Sequence, residues 1–321
     1  MKYNYVIFGS DNDFLKVAFS DIIRLKGVKY IGNKIDTDNK FLLALFRIHN
    51  SIKINSVLPL PFKNAWKKIA FRNAFKNGKP LCFVFFAGNR WCNAKYFIYI
   101  KSKYPDCKIV IYCQDVIDKN TNKNIFNALS LCDLKLSYDK GDAEKYGMLL
   151  YQDVYSKIDV KPSSGLPDYD VCCIMKAKDR LQKGIELYDR LESLGLKCYF
   201  YFSEVKKRDR IIRKNVFYGD KIPYKKNLEI VLKSRAVAEI LQKGSRGYTL
   251  RAGEAIVYGK KLITDNLSVK DEPFYSPQNV LAYESEERIT KEFFEGKANW
   301  SPKFTEDLSP KKLLLFIDGK L

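Results

Sequence analysis

The sequence predicts an α/β protein made of two parallel-sheet halves. Three observations point there. Short apolar runs of strand length alternate with stretches of helical periodicity along nearly the whole chain. The alternation breaks once, at "KPSSGLPDYD" (residues 161–170), where two prolines, a glycine and two serines read as a linker, and then it restarts. The length of 321 residues suffices for two domains of ordinary size. Strands separated by helices imply parallel β-α-β units, so each half should be an open sheet, with a ligand cleft near the carboxyl ends of the strands.

In the first half the strands fall at residues 5–9, 28–32, 81–87, 108–113 and 134–138. "DFLKVAFSDIIRLKG" repeats apolar residues at Phe14, Val17, Ala18, Ile22 and Leu25 and ends at Gly27, as a helix should. "GNRWCNAKYFIYIKSKYP" and "TNKNIFNALSLCD" read the same way, and residues 61–79 predict a further helix. Beyond the linker, strand "YDVCCIM" precedes helix "LQKGIELYDRLESLG", which repeats at Leu181, Ile185, Tyr188, Leu191 and Leu194. Strand "KCYFYF", helix "YKKNLEIVLKS", strand "AVAEILQ", a helix over 249–258 closed by Gly259, and strand "KKLITD" follow. The last helix, "SPKKLLLFIDGKL", starts with Ser309 as cap and Pro310 in the first turn. The expected divisions are 1–163, 164–305, and a terminal helix over 306–321 packing back on the first domain.

Composition narrows the function. Hydrophobic residues make up 46%, which marks a core-building chain. The longest apolar run, "LCFVFFA", has strand length and not the roughly 18 residues of a membrane span. The start, "MKYNYVIFGSDND", reads as a first strand and not as a secretory signal. Eight cysteines without a C-x-x-C pair, beside the single His49, argue for small core residues in a reducing cytosol, against zinc or a disulfide framework. The net charge is +20, and residues 39–105 hold thirteen Lys and Arg with no Asp or Glu. Such a field attracts polyanions: nucleic acid, an anionic lipid surface or phosphorylated substrates.

Four stretches carry a family resemblance: "LSYDKGDAEKYG" (136–147), "MKAKDRL" (175–181), "GSRGYTLRAGEAIVYGKKLITDN" (244–266) and "FYSPQNVL" (274–281). They resemble GT-B glycosyltransferases, and more specifically the bacterial enzymes that build lipopolysaccharide O-antigen or capsule. The resemblance implies two facing Rossmann-like domains, the second binding a nucleotide-sugar donor and the first a glycan or lipid-linked acceptor. Many retaining relatives carry two glutamates eight positions apart here. This chain has Glu254 but Arg246 at the earlier position, which leaves inversion or retention open.

The expected donor site is Arg246, Tyr248, Thr249, Leu250, Arg251 and Glu254. The helix start supplies unpaired N–H groups and the positive dipole end, and Arg251 adds a fork matched to phosphate oxygens. Glu254, one turn on, is expected to accept the ribose hydroxyls; the plain alternative is an i,i+3 surface pair. Lys176, Lys178 and Arg180 either reach the same phosphates or form a solvated basic loop. Ile222, Pro223 and Tyr224 are candidates to hold the base, and Thr264, Asp265 and Asn266 either face the cleft or cap their strand. No metal or other cofactor is expected. On the acceptor side Asp13 or Asp11, then Asp115, are candidate bases, with Asn89 and Arg90 beside them. Aspartates at strand–helix turns also serve as helix caps, and the "DND" and "DTD" triplets mimic a metal-binding D-x-D of another fold. His49 reads as a packing residue. Residues 61–79 place Phe62, Ala65, Trp66 and Ile69 on one side amid Lys63, Lys67, Lys68, Arg72 and Lys76. That helix suits an anionic membrane face, at the inner side of the plasma membrane, or packs on its own sheet. Two other readings stay in play: a basic nucleic-acid-binding protein, and a non-catalytic nucleotide-binding homologue.

Overall fold

Aromatic and β-branched runs become the strands. In the computed structural model, which describes residues 1–120, 122–158, 167–243 and 247–321, they assemble into two six-stranded parallel sheets. The first comprises β1 (Asn4–Phe8), β2 (Val28–Ile31), β3 (Leu81–Phe86), β4 (Lys108–Cys113), β5 (Leu134–Ser137) and β6 (Leu149–Leu150), in the order β2-β1-β3-β4-β5-β6. The second comprises β7 (Tyr169–Lys176), β8 (Cys198–Ser203), β9 (Val216–Gly219), β10 (Ser234–Glu239), β11 (Lys261–Thr264) and β12 (Val280–Ala282), in the order β12-β11-β10-β7-β8-β9. Strand β3, "LCFVFF", is buried at all six positions, as a central parallel strand covered on both faces must be.

The chain divides into two compact units: Met1–Lys16, Ser20–Tyr151 and Leu313–Leu321 in one, Val17–Phe19 and Gln152–Lys312 in the other. Most of the expected linker, residues 161–166, lies outside the described residues. In the first unit the end of helix Pro310–Lys320 is tied to β1: the Tyr5 hydroxyl donates to Asp318 at 2.7 Å and to the Leu314 carbonyl at 2.9 Å. Its core is aromatic. Phe8 stacks on Phe85 at 4.9 Å, and Tyr96 and Phe97 of helix Ala94–Lys103 close over them.

In the second unit helix Leu181–Ser193 buries Ile185, Leu187, Tyr188 and Leu191. Gly184 lets it approach β8, since a Cβ there would lie 2.6 Å from the Phe202 ring. Helix Lys140–Tyr146 shows how local sequence sets its ends. The Asp139 carboxylate accepts from the Asp142 amide at 2.9 Å, and Gly147, with φ of 60°, stops the helix.

Three expectations fail for tertiary reasons. The helix over 13–27 is two, Asp13–Ala18 and Ser20–Ile23. The Ala18 carbonyl, which would accept from the next turn, instead accepts from the Ser156 amide and hydroxyl at 2.9 and 2.8 Å. The basic helix over 61–79 is a 3₁₀ turn, Lys63–Trp66, and one helical turn, Lys67–Ala70. Trp66, Ala70 and Phe71 enter the core, and the Arg72 amide is drawn off to the Asp36 carboxylate at 2.8 Å. "TNKNIFNALSLCD" yields only Lys123–Phe126 and the 3₁₀ turn Leu129–Leu131. Short strands β6, β9 and β12 carry too few residues to show a period and were not foreseen.

Candidate functional site

The second sheet reverses its winding between β7 and β10, and open α/β sheets form their ligand crevice at the carboxyl ends of strands at such a point. Strand β7 runs into the turn Ala177–Arg180. Arg180 is half-buried there. Its guanidinium donates to the Ile240 carbonyl at 2.6 Å and to the Lys176 carbonyl at 2.7 Å, so it ties the two strand ends together. Burial lowers its pKa. Lys176 pairs with Glu204. Lys178 differs: it is exposed, sits in the left-handed region with φ of 47°, and has no partner among the described residues. A non-glycine residue held there costs of order 1–3 kcal/mol, a cost tolerated most often at functional sites.

Strand β10 ends in Glu239, which the sequence reading passed over; an acid closing an apolar run was its only signal. Its buried carboxylate accepts from the Thr249 amide and from the Thr264 hydroxyl, both at 2.7 Å. Burial pushes the Glu239 carboxyl up, and those two hydrogen bonds oppose the rise. This seat fixes the entry of helix Leu250–Val257. Thr249 caps it, its hydroxyl accepting from the Arg251 amide at 3.2 Å. Of the three amides expected to face an anion, those of Thr249 and Arg251 are therefore used within the protein. The Leu250 amide has no partner among the described residues.

Arg251 and Glu254 do share a face, but that face is internal. The Glu254 side chain is 0% exposed and that of Arg251 is 17% exposed. They pair with each other, and Arg251 also donates to the Ile174 carbonyl at 2.8 Å and to Asn227. The other Glu254 oxygen accepts from the Tyr224 hydroxyl at 2.6 Å, and that hydroxyl also meets the Tyr155 hydroxyl. Burial draws the Arg251 pKa down, but the adjoining Glu254 and Tyr224 hold it above the ordinary value; burial and Glu254 raise Tyr224. Two expectations are corrected here. Glu254 has no oxygen open to a ribose, and Tyr224 is a buried link in this chain and not a cover over a base. Periodicity gave the shared face; it could not say that Ala252–Val257 are buried all round.

The remaining residues sort by contact. Tyr248 is buried edge-on against Phe274 at 4.9 Å, Pro223 is exposed, and Ile222 packs on the sheet. Thr264, Asp265 and Asn266 act as caps: Asp265 accepts from the Leu241 amide and Lys183, both at 2.8 Å, and Asn266 caps the turn at Ser268. Arg246 lies outside the described residues.

In the first sheet the winding reverses between β1 and β3. Asn89 is buried there. Its amide donates to the Gly9 and Gly32 carbonyls and its oxygen accepts from the Trp91 amide at 2.8 Å. It fastens three strand ends, and both of its N–H donors are spent within the protein. Arg90 projects from the same loop with its guanidinium over the Phe46 ring at 4.9 Å. Asp11 accepts from the Asn33 amide at 3.0 Å, Asp13 opens helix Asp13–Ala18, and Asp115 accepts from the Val116 amide at 3.1 Å; all three are exposed. His49 is a packing residue, its Nδ1 accepting from the Trp66 indole at 2.6 Å.

The apolar surface of this unit is not where the periodicity put it. Helices Lys40–His49 and Ile52–Val57 expose Phe41 (77%), Leu45, Ile48, Ile52 (87%) and Val57, and Leu58 and Phe62 continue the patch. Lys40, Arg47, Lys53 and Lys63 lie in the same acid-free stretch. Among the described residues no helix is long and apolar enough to cross a membrane.

No protein-family model matches the sequence, and no curated protein matches it significantly. Solved structures do match. An alpha-glucosyltransferase in complex with UDP and a 13-mer DNA containing a central A:G mismatch aligns at TM-score 0.55 and 11% identity, over 96% of this chain and 91% of that one. An alpha-glucosyltransferase in complex with UDP aligns at TM-score 0.50 and 11% identity, over 86% and 82%. A lipopolysaccharide outer core galactosyltransferase in its apo form aligns at TM-score 0.42 and 13% identity, over 97% and 90%. The two parallel sheets with alternating helices are those of the GT-B class, and the chain has that fold.

Proposed function

We propose that this chain is a glycosyltransferase that moves a sugar from a nucleoside diphosphate to a lipid-linked glycan, in bacterial surface-polysaccharide synthesis. The observation that carries the reading is the pair of strand ends at the β7/β10 reversal. Lys178 in its left-handed turn and the unpartnered Leu250 amide at the mouth of helix Leu250–Val257 stand at those ends. The helix dipole and Lys178 favour a diphosphate, and favour it more as it gains charge on leaving. In this reading no metal takes part. Arg251 meets the phosphates through its exposed fraction while Glu254 and Ile174 fix its direction. Glu254 anchors Arg251, a role distinct from the ribose contact that the resemblance implies. Asp13, Asp11 or Asp115 takes the acceptor's proton; all three are exposed at strand carboxyl ends.

The lipid part of the acceptor rests on the exposed Phe41–Phe62 patch and the cations around it. Apolar side chains at 44–87% exposure suit an anionic bilayer face, to which each nearby Lys or Arg adds about 1 kcal/mol. A nucleic-acid acceptor is the second reading. The net charge of +20 favours it, as does the DNA held by a structure of like fold. Five of the seven exposed apolar side chains named above are aliphatic, however, and offer no ring on which a base could stack.

Thermal shift separates the two. A ligand at 100 times its Kd stabilises by about 2.7 kcal/mol. UDP, GDP or CMP should therefore raise the melting temperature by several degrees in the presence of EDTA, and a short oligonucleotide should not. Stabilisation by the oligonucleotide alone, with no nucleotide effect and no turnover of any nucleotide-sugar, would reject the proposal.

A further inference from the structure

We propose that the first unit holds a second anion site, a pocket for a phosphate or diphosphate group formed by Lys63, Lys67, Arg90 and Lys95. The cavity has a volume of about 260 Å³ and is completed by Asn50, Asn64, Trp91 and Asn93. Pockets for drug-sized ligands start near 300 Å³, so this one suits a headgroup and not a whole nucleotide. Four of its eight lining residues are cations and none is an acid. Among the described residues no carboxylate pairs with any of the four. Asp11 acts on Arg90 from outside the lining and offsets only part of this charge; like charges brought together raise the energy of the folded state, and an incoming anion relieves that.

The pocket is also built. Arg90 leaves the carboxyl end of β3, beside the β1/β3 reversal where ligands of open sheets bind. Its amide donates to the Asn33 side chain at 3.0 Å, its carbonyl accepts from Asn93 at 2.8 Å, and its guanidinium rests on Phe46. The hydrogen bonds hold the Arg90 backbone, and the Phe46 ring supports the plane of its guanidinium. Lys67 reaches the Lys95 carbonyl at 3.4 Å. Burial, and then the Lys95 charge, lower its pKa, as crowding by cations should. Lys95 lies in the first turn of the ten-residue helix Ala94–Lys103, whose positive end adds to the field. Lys63 follows Phe62, so the anion site borders the exposed apolar patch. Assigning the phosphate to a lipid-linked acceptor rests on the function proposed above; the site does not.

Isothermal titration with inorganic pyrophosphate tests it, on the wild type, on K63Q/K95Q, and on K26Q/K119Q. The last pair removes the same charge from exposed positions outside the pocket. Expected is saturable binding that weakens at least about tenfold in K63Q/K95Q, as loss of two charge-assisted contacts implies, and stays within about twofold in the control. Absence of binding in the wild type, or equal weakening in both doubles, overturns the site, the latter because only diffuse charge would then be acting. A third arm uses phosphatidylglycerol vesicles. If K63Q/K95Q loses vesicle binding but keeps pyrophosphate binding, the lysines serve a bilayer and the pocket is refuted. Nucleotide binding is read in the same proteins. In the wild type, UDP binding without pyrophosphate binding sinks the pocket alone, and pyrophosphate binding that K63Q/K95Q weakens, without UDP binding, sinks the donor reading alone.

Discussion

The two reversal points of the molecule treat charge in opposite ways. At the end of the second sheet Arg251, Glu254, Tyr224 and Asn227 are largely withdrawn from water and turned on one another, and the buried Glu239 is held by the Thr249 amide and the Thr264 hydroxyl. At the end of the first sheet Lys63, Lys67, Arg90 and Lys95 gather around open space with no acid among them. A charge removed from water must be matched inside the protein, whereas a charge at a solvated rim can wait for a ligand. In the function proposed above, charges of the first kind hold a site's walls, with Arg251 reaching the ligand only by its exposed fraction, and charges of the second kind, Lys178 among them, meet what enters.

Mutations can break or sharpen that contrast. The largest effect is expected from Arg251→Ala. It leaves the Glu254 carboxylate buried without its cation, a change that costs about 3–5 kcal/mol, read as a lower urea midpoint. A loss below about 1 kcal/mol would mean that the network is open to water and that the contrast is false. Activity of this variant is interpretable only beside its stability. Glu239→Gln comes next, at roughly 1 kcal/mol near pH 4.5 for its weakened hydrogen bonds. Its pH dependence is the sharper test. Burial raises Glu239 above the ordinary value of 4.5, so the folded protein holds that proton more tightly than the unfolded chain. Through this group, wild-type stability falls as pH rises above 4.5. Glutamine has no proton to lose, so the cost of the substitution should shrink with rising pH. A cost that grows with pH contradicts the assignment.

The open regions should behave otherwise. Phe41→Ser with Ile48→Ser should change stability by no more than about 0.5 kcal/mol and yet abolish co-sedimentation with phosphatidylglycerol vesicles. Retained sedimentation removes the patch as a bilayer contact. Lys178→Ala is the mildest for the fold, with no loss of a contact and no change in backbone strain, since alanine keeps the Cβ. UDP binding should weaken about tenfold, the worth of one charge-assisted contact. Unchanged UDP affinity takes Lys178 out of the donor site.

Much of the architecture was legible in the chain. Strand β4, helix Leu181–Ser193 and the Ser309 cap of helix Pro310–Lys320 all follow from runs, periods and punctuation, because local sequence controls backbone propensity and the pattern of burial. The helix after β10 was legible in "TLRAGE", but a period of 3.6 states which side chains share a face and not which way that face turns. Asn89 and Arg90 were named together, yet one fastens strand ends and the other faces open space. Lys63, Lys67 and Lys95 were visible only as members of a basic run, since the pocket joins residues some thirty positions apart.

The sequence by itself determined the two-sheet α/β order, the position of the helix after β10 and the absence of acids over residues 39–105. Those are properties of neighbours along the chain. The tertiary structure alone decided that residues 71–79 form no helix, that the exposed apolar face is Phe41 to Phe62, and that Glu254 points inward. In each case the deciding partner lies far away in sequence: Asp36 draws off the Arg72 amide, the core takes Trp66, and Tyr224 holds Glu254. Burial and pairing energies of several kcal/mol outweigh propensities of a few tenths per residue.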